Sequence, residues 1–92
     1  MRILIADALS DAAQAALEAG GHHVTSRPGI KDDALVEALR EGSPQVLIVR
    51  STKVKGAALD ASPTLELIVR AGAGVDTIDV EGASARGIFV AN

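Results

Sequence analysis

No cysteine, tryptophan or tyrosine occurs among the 92 residues, and Phe89 is the one aromatic side chain. Without cysteine there is no disulfide, no thiolate nucleophile and no cysteine-held metal, which suits a reducing cytoplasm. Without aromatic platforms the chain has no means of stacking on nucleic-acid bases. A surplus of positive charge is also missing: nine Lys and Arg stand against twelve Asp and Glu, for a net charge of −3 and a pI near 5.2. The cations are scattered, so the electrostatic footprint of a nucleic-acid binder is absent. Long hydrophobic runs are lacking too. Ile3-Leu4-Ile5-Ala6 stops at Asp7, too short for the core of a signal peptide or a membrane span.

What remains is ordinary for a globular protein, 48% apolar and 23% charged, with a core that must be built from Ala, Val, Leu and Ile. At this length one domain covering residues 1–92 is expected, burying roughly 60–68% of the surface of its unfolded chain. Three apolar runs, Ile3 to Ala6, Val46 to Val49 and Leu67 to Ala71, are continuous rather than alternating, as in strands covered on both faces of a parallel sheet. His22-His23-Val24-Thr25 is polar and reads as an edge strand, and Ile88-Phe89-Val90 as a short fifth strand.

Helical patterns fill the gaps. Ser10 caps a helix to about Ala19 with Leu9, Ala13, Ala16 and Leu17 on one face and Gly20-Gly21 as the stop. Asp32 to Glu41 turns Leu35, Ala38 and Leu39 inward and stops at Gly42. Val54 to Ala61 is shorter and ends before Pro63. Asp79 caps a last helix to Arg86, ended by Gly87. Strand and helix therefore alternate with short connections, which implies right-handed crossovers and an α/β, flavodoxin-like, doubly wound parallel sheet of five strands in the order 2-1-3-4-5. The pattern stops after the fifth strand without a fifth helix. Part of one sheet face, near the first, third and fifth strands, is expected to lack its cover, and homo-association through that face or the terminal edge follows.

Ligands of such sheets bind beyond the carboxyl ends of the strands, near the switch in strand order. Asp7, Arg50 and Ser51 sit at those ends, and the loop Gly72-Ala73-Gly74-Val75-Asp76 follows the fourth strand. A guanidinium, a hydroxyl and backbone N–H groups suit a carboxylate or phosphate. On the structural reading, Arg50 pairs with a nearby carboxylate and the glycines only shape a turn. Gly72-Ala73-Gly74 is a poor dinucleotide fingerprint: its third glycine is missing, it follows the fourth strand rather than the first, and no second half follows to present an acid to a ribose. A receiver domain needs an acid where Arg50 stands, and a flavodoxin needs a glycine- and hydroxyl-rich loop where Asp7-Ala8-Leu9-Ser10-Asp11 stands. His22 and His23 are adjacent on a strand and so point to opposite faces, which makes no shared metal site. Asp32-Asp33 at a helix start favours the dipole.

Arg70-Ala71-Gly72-Ala73-Gly74-Val75-Asp76-Thr77, with Val49-Arg50-Ser51-Thr52-Lys53-Val54 upstream, resembles the substrate-binding domain of the D-isomer-specific 2-hydroxyacid dehydrogenases. The resemblance covers the whole chain and ends before the nicotinamide-binding domain would begin. It implies that Arg50, Ser51, Gly72, Ala73, Gly74 and Val75 contact substrate, a small phosphorylated hydroxy acid, and that NAD is the cofactor of the parent enzyme. It also implies that the catalytic histidine, arginine and acid lie later in that parent, so that this chain has no catalytic, cofactor-binding or metal residue and is inactive alone. Thr77 replaces the family's Asn, and Gly82 its usual Ala. Another small D-2-hydroxy acid as the parent's substrate, or a stand-alone folding unit without a ligand, remains open.

Overall fold

The computed structural model describes residues 1–71 and 77–92. Five strands, β1 (Arg2–Ile5), β2 (His23–Ser26), β3 (Val46–Val49), β4 (Leu67–Arg70) and β5 (Phe89–Ala91), alternate with α1 (Asp11–Ala19), α2 (Asp32–Gly42), α3 (Gly56–Ala61) and α4 (Val80–Ala85). The strands pair in parallel in the order β2-β1-β3-β4-β5, the expected arrangement, with polar β2 at one edge.

Register divides the sheet into two unlike faces. Leu4, Leu47, Ile68 and Val90 are aligned across four strands, and parallel partners project to the same side. On that side lies the main core, where Leu4, Leu47, Val49 and Ile68 pack with Leu35, Ala38 and Leu39 of α2, Ala58 and Leu59 of α3, and Ala83 of α4. The opposite row is Val24, Ile3, Val46, Leu67 and Phe89. Leu9 and Leu17 pack there around Ile3, Ile5 and Val46, while Ile48, Leu67 and Val69 stay half-buried. Helix α1 buries none of its residues completely, and Phe89 is 77% exposed. The thinly covered face is therefore the α1 face on its β4–β5 side; the expected gap near β1 and β3 is filled by Leu9 and Leu17.

Local chemistry explains most element ends. The Ser10 hydroxyl accepts from the Ala13 N–H at 3.2 Å and caps α1. Several ends differ from the sequence expectation; β2 runs from His23 to Ser26, one residue later than expected, so His22 precedes the strand. Helix α2 runs through Gly42, and Ser43 takes the left-handed turn at φ 43°, because Pro44 immediately beyond cannot extend the helix. Val54 does not begin α3: its N–H donates to the Thr77 carbonyl at 2.8 Å, and its own carbonyl accepts from Asp79 N at 2.9 Å. It is spent on an isolated parallel bridge to Ile78. Strand β5 is shifted by one residue, leaving Ile88 buried and Phe89 facing outward. No helix of the described residues is long and apolar enough to cross a membrane.

Gly82 has a packing reason. Asp79 caps α4 by accepting from Gly82 N at 3.0 Å. A Cβ on Gly82 would overlap Asp79 Oδ2 and sit 2.8 Å from Asp79 Cγ and 3.2 Å from Leu59 Cδ1. In an open helix interior Gly to Ala gains about 0.5–1 kcal/mol; here it evicts a cap of about the same worth. Gly82→Ala is thus expected to leave the thermal midpoint level or lower it, measured by circular dichroism, and a clear rise would mean that Asp79 swings aside freely.

Candidate functional site

At the carboxyl ends of the central strands, β1 delivers Asp7 and β3 delivers Arg50, Ser51 and Thr52. The Asp7 carboxylate faces the start of the β3–α3 loop. Its Oδ2 accepts from the N–H groups of Arg50 at 2.6 Å, Ser51 at 3.1 Å and Thr52 at 3.1 Å, and from the Thr52 hydroxyl at 2.8 Å. The Ser51 hydroxyl reaches Asp7 Oδ1 at 3.4 Å. Partial burial pushes the Asp7 pKa up, but the hydrogen bonds from the Arg50 backbone, the Thr52 hydroxyl and backbone, and the Ser51 backbone outweigh it and hold the group below its ordinary value.

Arg50 and Ser51 are exposed. Among the described residues the Arg50 guanidinium makes no ion pair. Its backbone, not its side chain, meets Asp7. Beside this turn lies a cleft of about 440 Å³ lined by Asp7, Ile30, Lys31, Asp32, Ser51 and Lys53, among others. A separate groove of about 270 Å³ follows Arg2, Leu4, His23 and Glu41 at the β2 edge, away from these groups.

Gly72, Ala73, Gly74 and Val75 lie outside the described residues. Their flanks do not. Ala71 N donates to the Val49 carbonyl at 2.8 Å, and the Thr77 carbonyl accepts from Val54 N at 2.8 Å, so both ends of that stretch are fastened to the segment carrying Arg50 and Ser51. The Thr77 hydroxyl oxygen is buried without a hydrogen-bond partner among the described residues. No group of three or more His, Asp or Glu that could hold a metal exists among the described residues. His22 Nδ1 instead lies 3.4 Å from the Met1 ammonium.

The sequence reading missed Thr52, which donates twice, and the two lysines of the cleft. It placed Asp7 at the crevice without giving it a task. The available signal was an aspartate ending one central strand opposite a Ser-Thr pair ending its neighbour, since hydroxyl residues in a turn supply both side-chain and backbone donors.

A five-stranded parallel α/β sheet in the order β2-β1-β3-β4-β5 defines the class, and comparison with known proteins defines the family. Residues 3–92 match the family described as D-isomer specific 2-hydroxyacid dehydrogenase, catalytic domain, and the chain belongs to it. It is 36% identical to human D-3-phosphoglycerate dehydrogenase over 92 residues, 99% of this chain and 17% of that protein. It is 42% identical to the Mycobacterium tuberculosis enzyme of the same name over 93 residues, 98% of this chain and again 17% of the relative. The crystal structure of NAD-bound 3-phosphoglycerate dehydrogenase from Entamoeba histolytica superposes with a TM-score of 0.86 at 30% identity, over 98% of this chain and 32% of that one. The chain thus spans about a sixth of the curated relatives it matches.

Because the folded-state pKa of Asp7 is depressed, the stability it contributes is complete above the ordinary carboxylate pKa near 3.9 and disappears as pH falls through the lower folded value. Acid titration followed by NMR is expected to show the Arg50, Ser51 and Thr52 amides moving together with the Asp7 carboxyl, at a midpoint below the ordinary carboxylate value. Independent midpoints would separate the turn from Asp7.

Proposed function

We propose that this chain forms the substrate wall of a D-3-phosphoglycerate dehydrogenase, the enzyme that oxidises 3-phosphoglycerate with NAD at the entry to serine biosynthesis. The observation that carries the reading is the convergence of Asp7, the Arg50–Thr52 turn and the fastened flanks of the glycine loop at one end of the central strands. In this reading Arg50 supplies charge, Ser51 a hydroxyl, and Gly72, Ala73, Gly74 and Val75 backbone contacts to a carboxylate or phosphate. The cysteine-free composition fits the cytoplasm, where we place it.

NAD does not suit the described residues. The turn after β1 offers Asp7 and no glycine, the Ser10 hydroxyl caps α1, and a pyrophosphate brought there would meet a carboxylate rather than free donors. In this reading the cofactor and the proton-transfer groups belong to sequence beyond the span matched here. What this chain contributes is binding and orientation.

Without an opposing wall to exclude water, affinity for 3-phosphoglycerate is expected to be millimolar, about −4 kcal/mol. Titration of the labelled chain should move the Arg50 side-chain resonance and leave the Arg50→Ala variant unresponsive, with glycerate and lactate weaker if the phosphate is read. An equal response to lactate would point to another D-2-hydroxy acid, and none at saturation to a folding unit without a ligand. The purified chain is expected to produce no NADH from any of these acids, because hydride transfer requires the bound cofactor.

We further propose that the thin sheet face brings two copies together. Half-buried Ile48, Leu67 and Val69 next to an exposed Phe89 form the kind of apolar surface that marks an interface. Sedimentation across a wide concentration range should show dimers that Phe89→Ser weakens; a concentration-independent monomer removes this reading.

A further inference from the structure

Three consecutive backbone N–H groups turned toward one point form a nest, the arrangement by which loops hold phosphates and other anions. In this protein the nest at the end of β3 is already filled. Asp7 Oδ2 takes the N–H groups of Arg50, Ser51 and Thr52 together with the Thr52 hydroxyl, four donors on one oxygen at 2.6 to 3.1 Å. We propose that Asp7 is the resident anion of this nest and a positioning residue of the substrate wall. By occupying the backbone donors it fixes the turn that carries the Arg50 guanidinium, and it leaves that side chain, rather than the amides, to meet a substrate anion. The positioning role rests on the substrate reading given above; the resident-anion assignment does not.

The energetics favour a resident over a visitor. A carboxylate carried on a neighbouring strand is held at a high effective concentration, and its charge-assisted hydrogen bonds are stronger than those of a neutral acceptor. The nest also places a negative charge where a free anion would otherwise settle. The charged groups that line the cleft with Asp7 are Lys31, Asp32 and Lys53, and Arg50 stands at the turn itself. Two lysines and an arginine therefore surround a carboxylate whose own oxygen is fully engaged, and a second anion gains most by pairing with those side chains.

This assignment makes the nest refillable. In Asp7→Ala the three amides lose their acceptor, and their proton resonances should move upfield and exchange faster with solvent. Added formate, a free carboxylate small enough for the vacated space, should return them saturably toward their wild-type positions while leaving wild type unchanged. In wild type, 3-phosphoglycerate should shift the Arg50 guanidinium resonance and spare the amides of residues 50–52; in Asp7→Ala it should shift the amides as well. Amides indifferent to the substitution, a variant that formate does not restore, or wild-type amides that titrate with 3-phosphoglycerate would each overturn the proposal. If Asp7→Ala does not fold, Asp7→Asn keeps the shape and an acceptor but not the charge. Its three amides should then lack the acid titration expected of wild type, and persistence of that titration overturns the proposal equally. A nest that formate refills, in a protein whose Arg50 never responds to 3-phosphoglycerate, refutes the substrate reading alone.

Discussion

The row of Leu4, Leu47 and Ile68 against Leu35, Leu39 and Leu59 is the packing on which the architecture depends. With no aromatic side chain in the core, the space between sheet and helices is filled by branched aliphatic residues and by the closeness that Ala38, Ala58 and Ala83 permit. Truncating a buried leucine in such a layer typically costs about 2–5 kcal/mol, a large share of what a chain of this size can hold in reserve. The helices on that side are therefore fixed relative to the strand ends, and the turn that follows β3 inherits their rigidity.

The second face is made differently. Its row alternates along the strands with that of the main core, but among the described residues only α1 lies across it, and burial falls from Ile5 at the centre to Phe89 at the β5 edge. The site lies at neither face. It sits at the carboxyl edge, where the order of strands reverses between β1 and β3, and it depends on hydrogen bonds rather than on apolar burial. The bridge from Val54 to Ile78 joins the loops following β3 and β4, so the two segments with the most polar chemistry are coupled to each other more directly than to the thin face.

The sheet order could be read from the sequence because continuous apolar runs, short connections and a polar edge strand leave few alternatives. The inward residues of α2 followed from spacing for the same reason. Element ends were harder. Val54 looks like a helix residue until its partner Ile78, distant in sequence, claims its backbone groups, and periodicity carries no trace of such a bridge. Ser43 rather than Gly42 adopts the left-handed turn because Pro44 sets where the helix must stop. At the crevice, the positions of Arg50 and Ser51 were legible from the strand ends, but the engagement of their N–H groups by Asp7 was not, since a carboxylate at a strand terminus looks the same whether it faces water or a neighbouring loop. The Asp79 carboxylate over Gly82 is a parallel case, in which a side chain occupies the space that a glycine leaves.

Strand β1 begins at Arg2, and the Met1 carbonyl is already tied to the His23 N–H at 2.9 Å. Because all five strands run in parallel, their amino ends share one edge of the molecule and the crevice occupies the other, separated by the strand length of about 13 Å at 3.3 Å per residue. The amino-end edge is thus a natural side for attachment. A chain immobilised from that side, on a sensor surface or a bead, presents the edge that carries Asp7 and Arg50 to the bulk solution with no linker crossing it.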